Sequence, residues 1–270
     1  MIRRAFDAGV RAISVTDHDT AGGLGEAAAA AAEHGIAFLP GMELSCVFDG
    51  RDVHVLAYGF EPDSPVIAAF VHERREQRVQ RLVEMADRLA ALGVPVDAGP
   101  VVALARSAGQ PSVGRPQLAI ALVDAGHVVS VIDAFDRYLC EGGPAYVPHR
   151  PVSPMEAVDM VRRARGVTSL AHPGLLVRDD IIPRLAEAGL LAIEAWHSDH
   201  AAATTAHYVG LAARLDLGVT GGSDFHGERV GRSRRLGEVA LPGPLFEDFL
   251  ERADAAGAAN LPDLRERPTP

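Results

Sequence analysis

The chain has 270 residues, 48% of them hydrophobic and 23% charged, a composition typical of a globular protein with one or two domains. Its net charge of −10 argues against stable binding to duplex nucleic acid, which usually requires a basic face. The two cysteines, Cys46 and Cys140, are too far apart to indicate a disulfide framework or a zinc knuckle. We expect no membrane span and no signal peptide, and therefore a cytoplasmic protein.

The N-terminal part alternates helices with short apolar strands. A helix at 2–9 precedes a strand at 12–16, and a helix at 21–34 precedes a strand at 36–39. The pair Asp49-Gly50 is typical of a tight hairpin turn, and it predicts that 44–48 pairs with 52–59.

The middle of the chain has a different character. One long amphipathic helix is predicted at 66–92, a second from a cap at Ser112 to about Asp124, and a third at 130–139. Because no strand is predicted between 66 and 144, this segment is interpreted as an all-helical insertion. Three arginines share one face of the long helix, which we interpret as a solvated face: Arg74, Arg78 and Arg81.

The alternation of strands and helices resumes after Tyr146 and continues almost to the C-terminus. The predicted helices are 153–165, 179–188, 201–216 and 244–256, and the predicted strands are 167–171, 191–196, 217–220 and one near 237–241. Regular alternation with one helical interruption indicates an α/β fold. It would consist of a barrel domain at 1–65 and 145–270 and an insertion at 66–144.

Ionisable side chains recur where the predicted strands end. In parallel α/β barrels catalytic groups gather at these ends. Imidazole and carboxylate together suit Zn, Mn or Fe, and neighbouring ions of this kind can bind a phosphate and activate water. The residues concerned are Asp17, His18, Glu43, His54, His172, His197, His200, Asp224 and His226.

Some of these positions allow a second interpretation. His54 lies within a strand, where a structural core or surface histidine is a real alternative. His197 and His200 could instead orient a ligand or bind phosphate. Arg115, in Gly114-Arg115-Pro116 near a helix start, suits either phosphate recognition or simple solvent exposure.

Several motifs together resemble the PHP (polymerase and histidinol phosphatase) family, over almost the whole chain and in order. They are Thr-Asp-His-Asp-Thr at 16–20, Pro-Gly-Met-Glu-Leu-Ser at 40–45, Ala-His-Pro-Gly at 171–174 and Gly-Ser-Asp-Phe-His at 222–226, with His54 between them. Gly-Arg-Pro at 114–116 and Ala-Tyr-Val-Pro at 145–148 resemble the subgroup that dephosphorylates 3',5'-nucleotide bisphosphates and trims short RNA from its 5' end.

The resemblance implies a distorted (β/α)7 barrel, a helical lid, and up to three divalent ions, usually Mn, with Zn, Fe or Mg as other options. It implies that substrate phosphate contacts Arg115, with His197 as a further phosphate-binding candidate. His226 or His200 would protonate the leaving oxygen, and Asp17 would assist as a catalytic or supporting group. The implied metal ligands are His18, Glu43, His54, His172, Asp224 and His226.

The sequence also departs from the family pattern. The family's first strand, which bears His-x-His, and a following Asp are absent from the chain as it starts at Met1. We therefore expect weak metal binding and impaired phosphatase activity. Gln117 replaces a frequent His, and Glu141-Gly142-Gly143-Pro144 replaces a turn that often carries a basic residue. The alternative functions are a histidinol-phosphate-type phosphatase and a non-catalytic remnant that binds a nucleotide or a protein partner.

Overall fold

The computed structural model describes residues 1–106, 114–148, 152–227 and 236–263. The chain divides into two compact units. The first contains Met1–Ala69, Pro151–Phe225 and Arg234–Pro270, and the second contains Phe70–Arg150 and His226–Ser233. Strands and helices alternate in the first unit, so the predicted α/β class is confirmed.

A curled six-stranded sheet forms the centre of the first unit, with the strands side by side in chain order. The first pair is parallel, the next two pairs are antiparallel, and the last two pairs are parallel. The strands are β1 (Ala12–Val15), β2 (Ala37–Phe48), β3 (Arg51–Tyr58), β4 (Val167–Leu170), β5 (Ala192–His197) and β6 (Gly218–Gly222).

The predicted hairpin is confirmed. β2 and β3 pair antiparallel from Gly41↔Tyr58 to Phe48↔Arg51. Asp49 and Gly50 both have positive φ, 49° and 76°, as a two-residue turn matched to the strand twist requires. This turn fixes the register and therefore decides which β2 and β3 side chains share a face.

The segment 36–45 differs from its prediction, because the strand does not end before Pro40. β2 continues through Pro40 and Gly41 while changing partner: Ala37–Pro40 pairs with β1, and the residues from Gly41 onward pair with β3. Pro40 has no N–H and cannot donate a hydrogen bond to a neighbouring strand. It lies where β2 changes its pairing partner from β1 to β3, a position at which the missing hydrogen bond is tolerated. One unbroken strand therefore links β1 to the hairpin.

The helices of the first unit precede, separate or follow these strands along the chain. Their bounds are α1 (Ile2–Asp7), α2 (Leu24–Glu33), α7 (Pro154–Arg163), α8 (Pro173–Leu176), α9 (Ile181–Ala188), α10 (Ala202–Arg214) and α11 (Gly243–Ala255). One apolar cluster joins strands β2 to β5 to helix α11, with Tyr58 and Phe249 in edge-to-face contact at 5.6 Å. Burial of these aromatic and aliphatic side chains stabilises the unit.

The second unit is helical in the part that the structure describes. α3 (Pro65–Ala91) begins in the first unit and continues into the second, followed by α4 (Gly99–Arg106), α5 (Arg115–Asp124), α6 (Val131–Ala134) and a π-helix (Phe135–Leu139). α4 was not predicted, and the predicted cap Ser112 lies outside the described residues. This unit has its own apolar core, centred on Leu82, Met85, Leu89, Leu118, Leu122 and Leu139.

The strand predicted near 237–241 is wrong. Residues 236–239 form a turn and a bend. Gly237 has φ 78°, and a Cβ there would lie 3.0 Å from the Ala8 side chain. A left-handed backbone that is packed against α1 cannot continue as a strand. No helix among the described residues is both long enough and apolar enough to span a membrane.

Candidate metal centre

Glu43 lies at the centre of the cluster of predicted ligands, and its side chain is only 6% exposed. Oε1 lies 2.6 Å from His54 Nδ1 and 3.3 Å from His172 Nε2, while Oε2 lies 3.6 Å from His18 Nε2. One buried carboxylate thus contacts three imidazoles that come from three different parts of the sheet.

Backbone pairing places His18 beside Glu43. After β1 ends, His18 forms an isolated parallel bridge with Glu43. The next residue, Asp19, is buried with φ 51°; its N–H donates to Glu43 O at 2.8 Å, and its Oδ1 accepts from Ser45 N at 2.8 Å. Asp19 therefore fixes the loop after β1 against β2. This is a structural role, and it keeps the His18 imidazole beside the Glu43 carboxylate.

The hairpin register places His54 on the same face as Glu43. His54 pairs with Ser45, and Ser45 shares a face with Glu43 because side chains alternate along a strand. Diagonal neighbours of this kind are within reach of long side chains. The imidazole contacts Glu43 and is 23% exposed, and its role as a metal ligand remains a prediction.

His172 follows β4 in a strained conformation. Its φ and ψ are 28° and 54°, unusual for a residue with a side chain. The imidazole Nε2 lies 3.2 Å from His54 Nδ1 as well as near Glu43. Burial would lower the pKa of His172, but the carboxylate of Glu43 outweighs this effect and raises the pKa to about 9.

Glu194, in β5, was not among the predicted residues. Its Oε2 accepts the backbone N–H of His172 at 2.7 Å, and burial raises the pKa of its carboxyl to about 7. The signal for it was a single carboxylate within an otherwise apolar strand, Leu-Ala-Ile-Glu-Ala-Trp, since a buried charge is costly unless it has a function or a partner.

The end of β5 brings His197 close to Asp224. The His197 side chain is fully buried; its Nε2 lies 3.4 Å from Asp224 Oδ2, and its Nδ1 accepts from Asp199 N at 3.1 Å. Asp224 follows β6 with φ 49°. The rings of His172 and His197 are 5.5 Å apart between centroids, so this pair adjoins the Glu43 cluster.

Both ring nitrogens of His200 contact backbone. Nδ1 lies 2.9 Å from Ala195 O, and Nε2 accepts from Gly174 N at 3.2 Å. This pattern requires a neutral ring with its proton on Nδ1, and burial lowers the pKa of His200. The hydrogen bonds of His200 are thus of a structural kind, and its predicted role as proton donor remains a prediction.

The remaining predicted residues are less closely tied to the cluster. Asp17 is partly buried, and its backbone carbonyl accepts from Glu43 N at 3.3 Å. His226 is exposed and is assigned, like Arg115, to the second unit. The predicted roles of His226 and Arg115 therefore remain predictions.

Arg115 begins α5 within the second unit. Its guanidinium lies 5.4 Å from the Tyr146 ring centroid, and Arg81 lies at the same distance from that ring. The interpretation of a solvated arginine face is wrong, because Arg74 and Arg81 are 4% and 9% exposed. Arg81 Nε donates to Val147 O, and Arg74 lies over Phe70, so aromatic and carbonyl partners cover these guanidinium groups.

The donor set fits a divalent cation. His18, Glu43 and His54 offer ligand atoms that all lie within 4.8 Å of one another. Burial opposes ionisation of Glu43, but the charges of His18 and His54 and hydrogen bonds outweigh it, so its pKa lies well below the ordinary value. Two imidazole nitrogens and a carboxylate this close require a shared proton or a cation between them.

The amino-acid sequence is similar to those of several known proteins over most of its length and most of theirs. It is 35% identical over 253 residues to a 3',5'-nucleoside bisphosphate phosphatase from Chromobacterium violaceum, covering 90% of the chain and 88% of the relative. It is 33% identical to a phosphoribosyl 1,2-cyclic phosphate 1,2-diphosphodiesterase from Eggerthella lenta, with coverages of 88% and 90%. It is 30% identical to a 5'-3' exoribonuclease from Haemophilus influenzae, with coverages of 84% and 83%. No protein-family profile matches the chain.

A solved structure agrees with these relatives. It is that of a protein from Bifidobacterium adolescentis to which metal-dependent phosphoesterase activity is ascribed. The match has a TM-score of 0.84 and 31% sequence identity, and it covers 93% of this chain and 89% of the other. The shared fold thus extends over nearly all of both proteins.

Proposed function

The chain belongs to the PHP family of metal-dependent phosphoesterases and is a phosphoric ester hydrolase, and from that premise we propose that it hydrolyses phosphate monoesters of nucleotides. Its proposed main substrates are nucleoside 3',5'-bisphosphates. Shortening of 5'-phosphorylated RNA from its 5' end is proposed as a second activity at the same site.

The observation that carries this proposal is the contact of Glu43 with three imidazoles. Hydrolysis of a phosphate monoester needs positive charge near the phosphate oxygens and a water made acidic enough to attack. A buried carboxylate with His18, His54 and His172 around it is a donor set for divalent cations. The 35% identity to a nucleoside bisphosphate phosphatase supports the substrate.

We propose that six side chains bind divalent cations, with Mn as the first choice. A cation bound by them would polarise phosphate oxygens and lower the pKa of a water molecule. The oxygen and nitrogen donors, with no thiolate among them, are compatible with Mn, Fe, Zn or Mg. The assigned ligands are His18, Glu43, His54, His172, Asp224 and His226.

Other side chains would prepare the substrate. Arg115, at the first position of a ten-residue helix, is proposed to bind a phosphate through its planar guanidinium. His226, which is exposed, has two alternative proposed roles, as a metal ligand or as the group that donates the proton to the leaving oxygen. His197, whose side chain is completely buried, would hold Asp224 in position. Asp17 would support the position of Glu43.

Cyclic phosphodiester hydrolysis is a second candidate because one relative with that activity in its name is almost as similar, at 33% identity. The two reactions differ in the ester attacked, a monoester in one and a strained cyclic diester in the other. The same donor set could serve both, so substrates must distinguish them.

The experiment is a comparison of initial rates with Mn present. The substrates are adenosine 3',5'-bisphosphate, phosphoribosyl 1,2-cyclic phosphate, a 5'-phosphorylated RNA trinucleotide and histidinol phosphate. We expect kcat/KM for the bisphosphate to exceed the others by at least about tenfold, equivalent to about 1.4 kcal/mol. Glu43→Gln is the inactive control, and Glu61→Gln, whose native side chain pairs with Arg165 at the surface, is the matched active control.

The outcomes separate the alternatives. Preference for the cyclic diester would replace the proposed substrate class, and preference for histidinol phosphate would favour the related phosphatase. If the protein binds Mn but releases no product from any substrate, it is a non-catalytic binding protein and the proposal is wrong.

A further inference from the structure

We infer that strand β5 positions the metal-binding side chains of the strands on either side of it, with Glu194 and His200 holding the turn that carries His172. This inference rests on the proposed metal site. Of the six described strands, β5 is the one to which no metal ligand is assigned, either within it or in the turn that follows it. Its polar side chains instead contact the segments that carry ligands.

The turn after β4 needs support because of its backbone. His172 has φ 28° and precedes α8, a single helical turn. A non-glycine residue in this region costs of the order of 1–3 kcal/mol unless its surroundings hold it. At the start of α8, the N–H groups of His172 and Gly174 need acceptors from outside the helix, while Pro173 has no N–H.

Glu194 and His200 supply those two acceptors. Glu194 Oε2 accepts from His172 N at 2.7 Å, and His200 Nε2 accepts from Gly174 N at 3.2 Å. His200 is itself oriented by Ala195 O at 2.9 Å and by stacking on Tyr208 at 5.7 Å. Both orphan N–H groups of the turn are thus bound by side chains from β5 and the turn that follows it.

The close packing of Gly174 supports the same conclusion. A Cβ at Gly174 would lie 2.7 Å from His200 Nε2 and 2.8 Å from Thr204 Cγ2. The imidazole therefore lies directly against the backbone of this turn, and a larger residue would displace it. Because the turn is fixed on this side, the His172 ring faces Glu43 and His54.

β5 also contacts the ligand that follows β6. His197, the last residue of the strand, accepts from Asp199 N through its Nδ1, and its buried Nε2 lies 3.4 Å from Asp224 Oδ2 without forming a hydrogen bond to it. One strand thus binds the turn of His172 by hydrogen bonds on one side and lies in contact with Asp224 on the other. Supporting groups of this type typically affect metal affinity by about 10- to 100-fold.

The test measures Mn binding by titration calorimetry and the absorption spectrum of the Co(II)-loaded protein. Glu194→Ala should weaken Mn binding by about 10- to 100-fold and change the Co(II) spectrum. Glu194→Gln retains an acceptor and should stay within about threefold of the native affinity. His200→Phe keeps an aromatic ring beside Tyr208 but loses the acceptor, and it should weaken binding about tenfold.

Ser169→Ala is the matched control, because it removes a buried hydrogen bond, Ser169 Oγ to Thr220 Oγ1 at 2.7 Å, without touching the turn. It should leave the Mn affinity and the Co(II) spectrum unchanged. Native affinity and spectrum in both Glu194→Ala and His200→Phe would overturn the inference. An equal loss in Ser169→Ala would also overturn it, because the effect would then be one of general packing.

A second measurement, amide hydrogen exchange in the metal-free protein, keeps the inference testable if Glu194→Ala folds poorly. Glu194→Asp shortens the side chain and should speed exchange at His172 N–H, while His200→Phe should speed it at Gly174 N–H. Unchanged exchange at both amides would contradict the positioning role. If the native protein binds no divalent metal, the proposed metal site fails, an outcome distinct from failure of the variants.

Discussion

At the residue scale, Glu43 determines what the candidate site can bind. Its carboxylate is buried, and yet its pKa is held well below the ordinary value by the histidines around it. A buried anion is unfavourable unless positive charge lies close by. In the protein without metal, the imidazolium of His172, whose pKa the Glu43 carboxylate raises to about 9, supplies that charge, and a divalent cation would supply it more fully.

Glu43→Gln should therefore reduce Mn affinity at least about 100-fold, equivalent to about 2.7 kcal/mol. A neutral amide presents one oxygen instead of two and cannot compensate the charge of a cation. Titration calorimetry measures the change, with Glu61→Gln as the control at an exposed carboxylate. Native Mn affinity in Glu43→Gln would exclude Glu43 as a ligand.

The residues of the site differ in how far the sequence could predict them. The sequence predicts His18, Glu43, His54 and His172 because they follow or lie in apolar strands, and the structure brings them together. Glu194 could not be selected by the same pattern, since its role depends on which strand neighbours β4. That neighbour is decided by long-range parallel pairing, which no local pattern specifies.

At the element scale, the prediction that rests on a strong conformational preference, the Asp49-Gly50 turn, is correct. The prediction that rests only on a short apolar pattern, the strand near 237–241, is wrong. The Asp49-Gly50 turn specified the β2–β3 hairpin, because few residues tolerate the positive φ values that it needs. The segment 237–241 contains apolar residues, but the fold of Gly237 against Ala8 prevents a strand. Packing between distant parts of the chain thus overrides an apolar pattern that is only five residues long.

Helix α7 provides a prediction about pH at this scale. Ser153 Oγ accepts from Glu156 N at 3.1 Å, and Glu156 Oε2 accepts from Ser153 N at 2.8 Å, which is a capping box. These hydrogen bonds lower the pKa of Glu156. A carboxyl with a lowered folded-state pKa stabilises the fold above its unfolded pKa, and this contribution is lost as the pH falls through the folded pKa.

Ser153→Ala should lower the free energy of unfolding by about 1 kcal/mol at pH 7 and by less at a second, acidic pH that lies below the lowered folded-state pKa of Glu156. Urea denaturation at the two pH values, followed by circular dichroism, measures the difference. In a Glu156→Gln background the cost of Ser153→Ala should become the same at both pH values. An equal cost at both pH values in the native background would contradict the capping account.

At the scale of the whole molecule, each of the two units has an apolar core among the residues that the structure describes. The cluster of His18, Glu43 and His54 lies wholly within the first unit, whereas Leu118 is fully buried in the helical core of the second. Each core buries its own aliphatic side chains, so each unit has its own source of stability. Arg115, the proposed phosphate-binding residue, belongs to the second unit, whereas this cluster does not.

Leu118→Ala tests this division. Removing a fully buried leucine should destabilise the second unit by about 2–5 kcal/mol, because lost burial and a cavity both contribute. The affinity for one Mn at His18, Glu43 and His54 should stay within about twofold, while KM for adenosine 3',5'-bisphosphate should rise, because the proposed phosphate-binding Arg115 begins a helix of the second unit. Leu250→Ala, in the core of the first unit, is the matched comparison and should lower Mn affinity as that unit loosens. Equal losses of Mn affinity in the two variants would mean that this cluster depends on the second unit as well, and the proposed separation of metal binding from phosphate binding would be wrong.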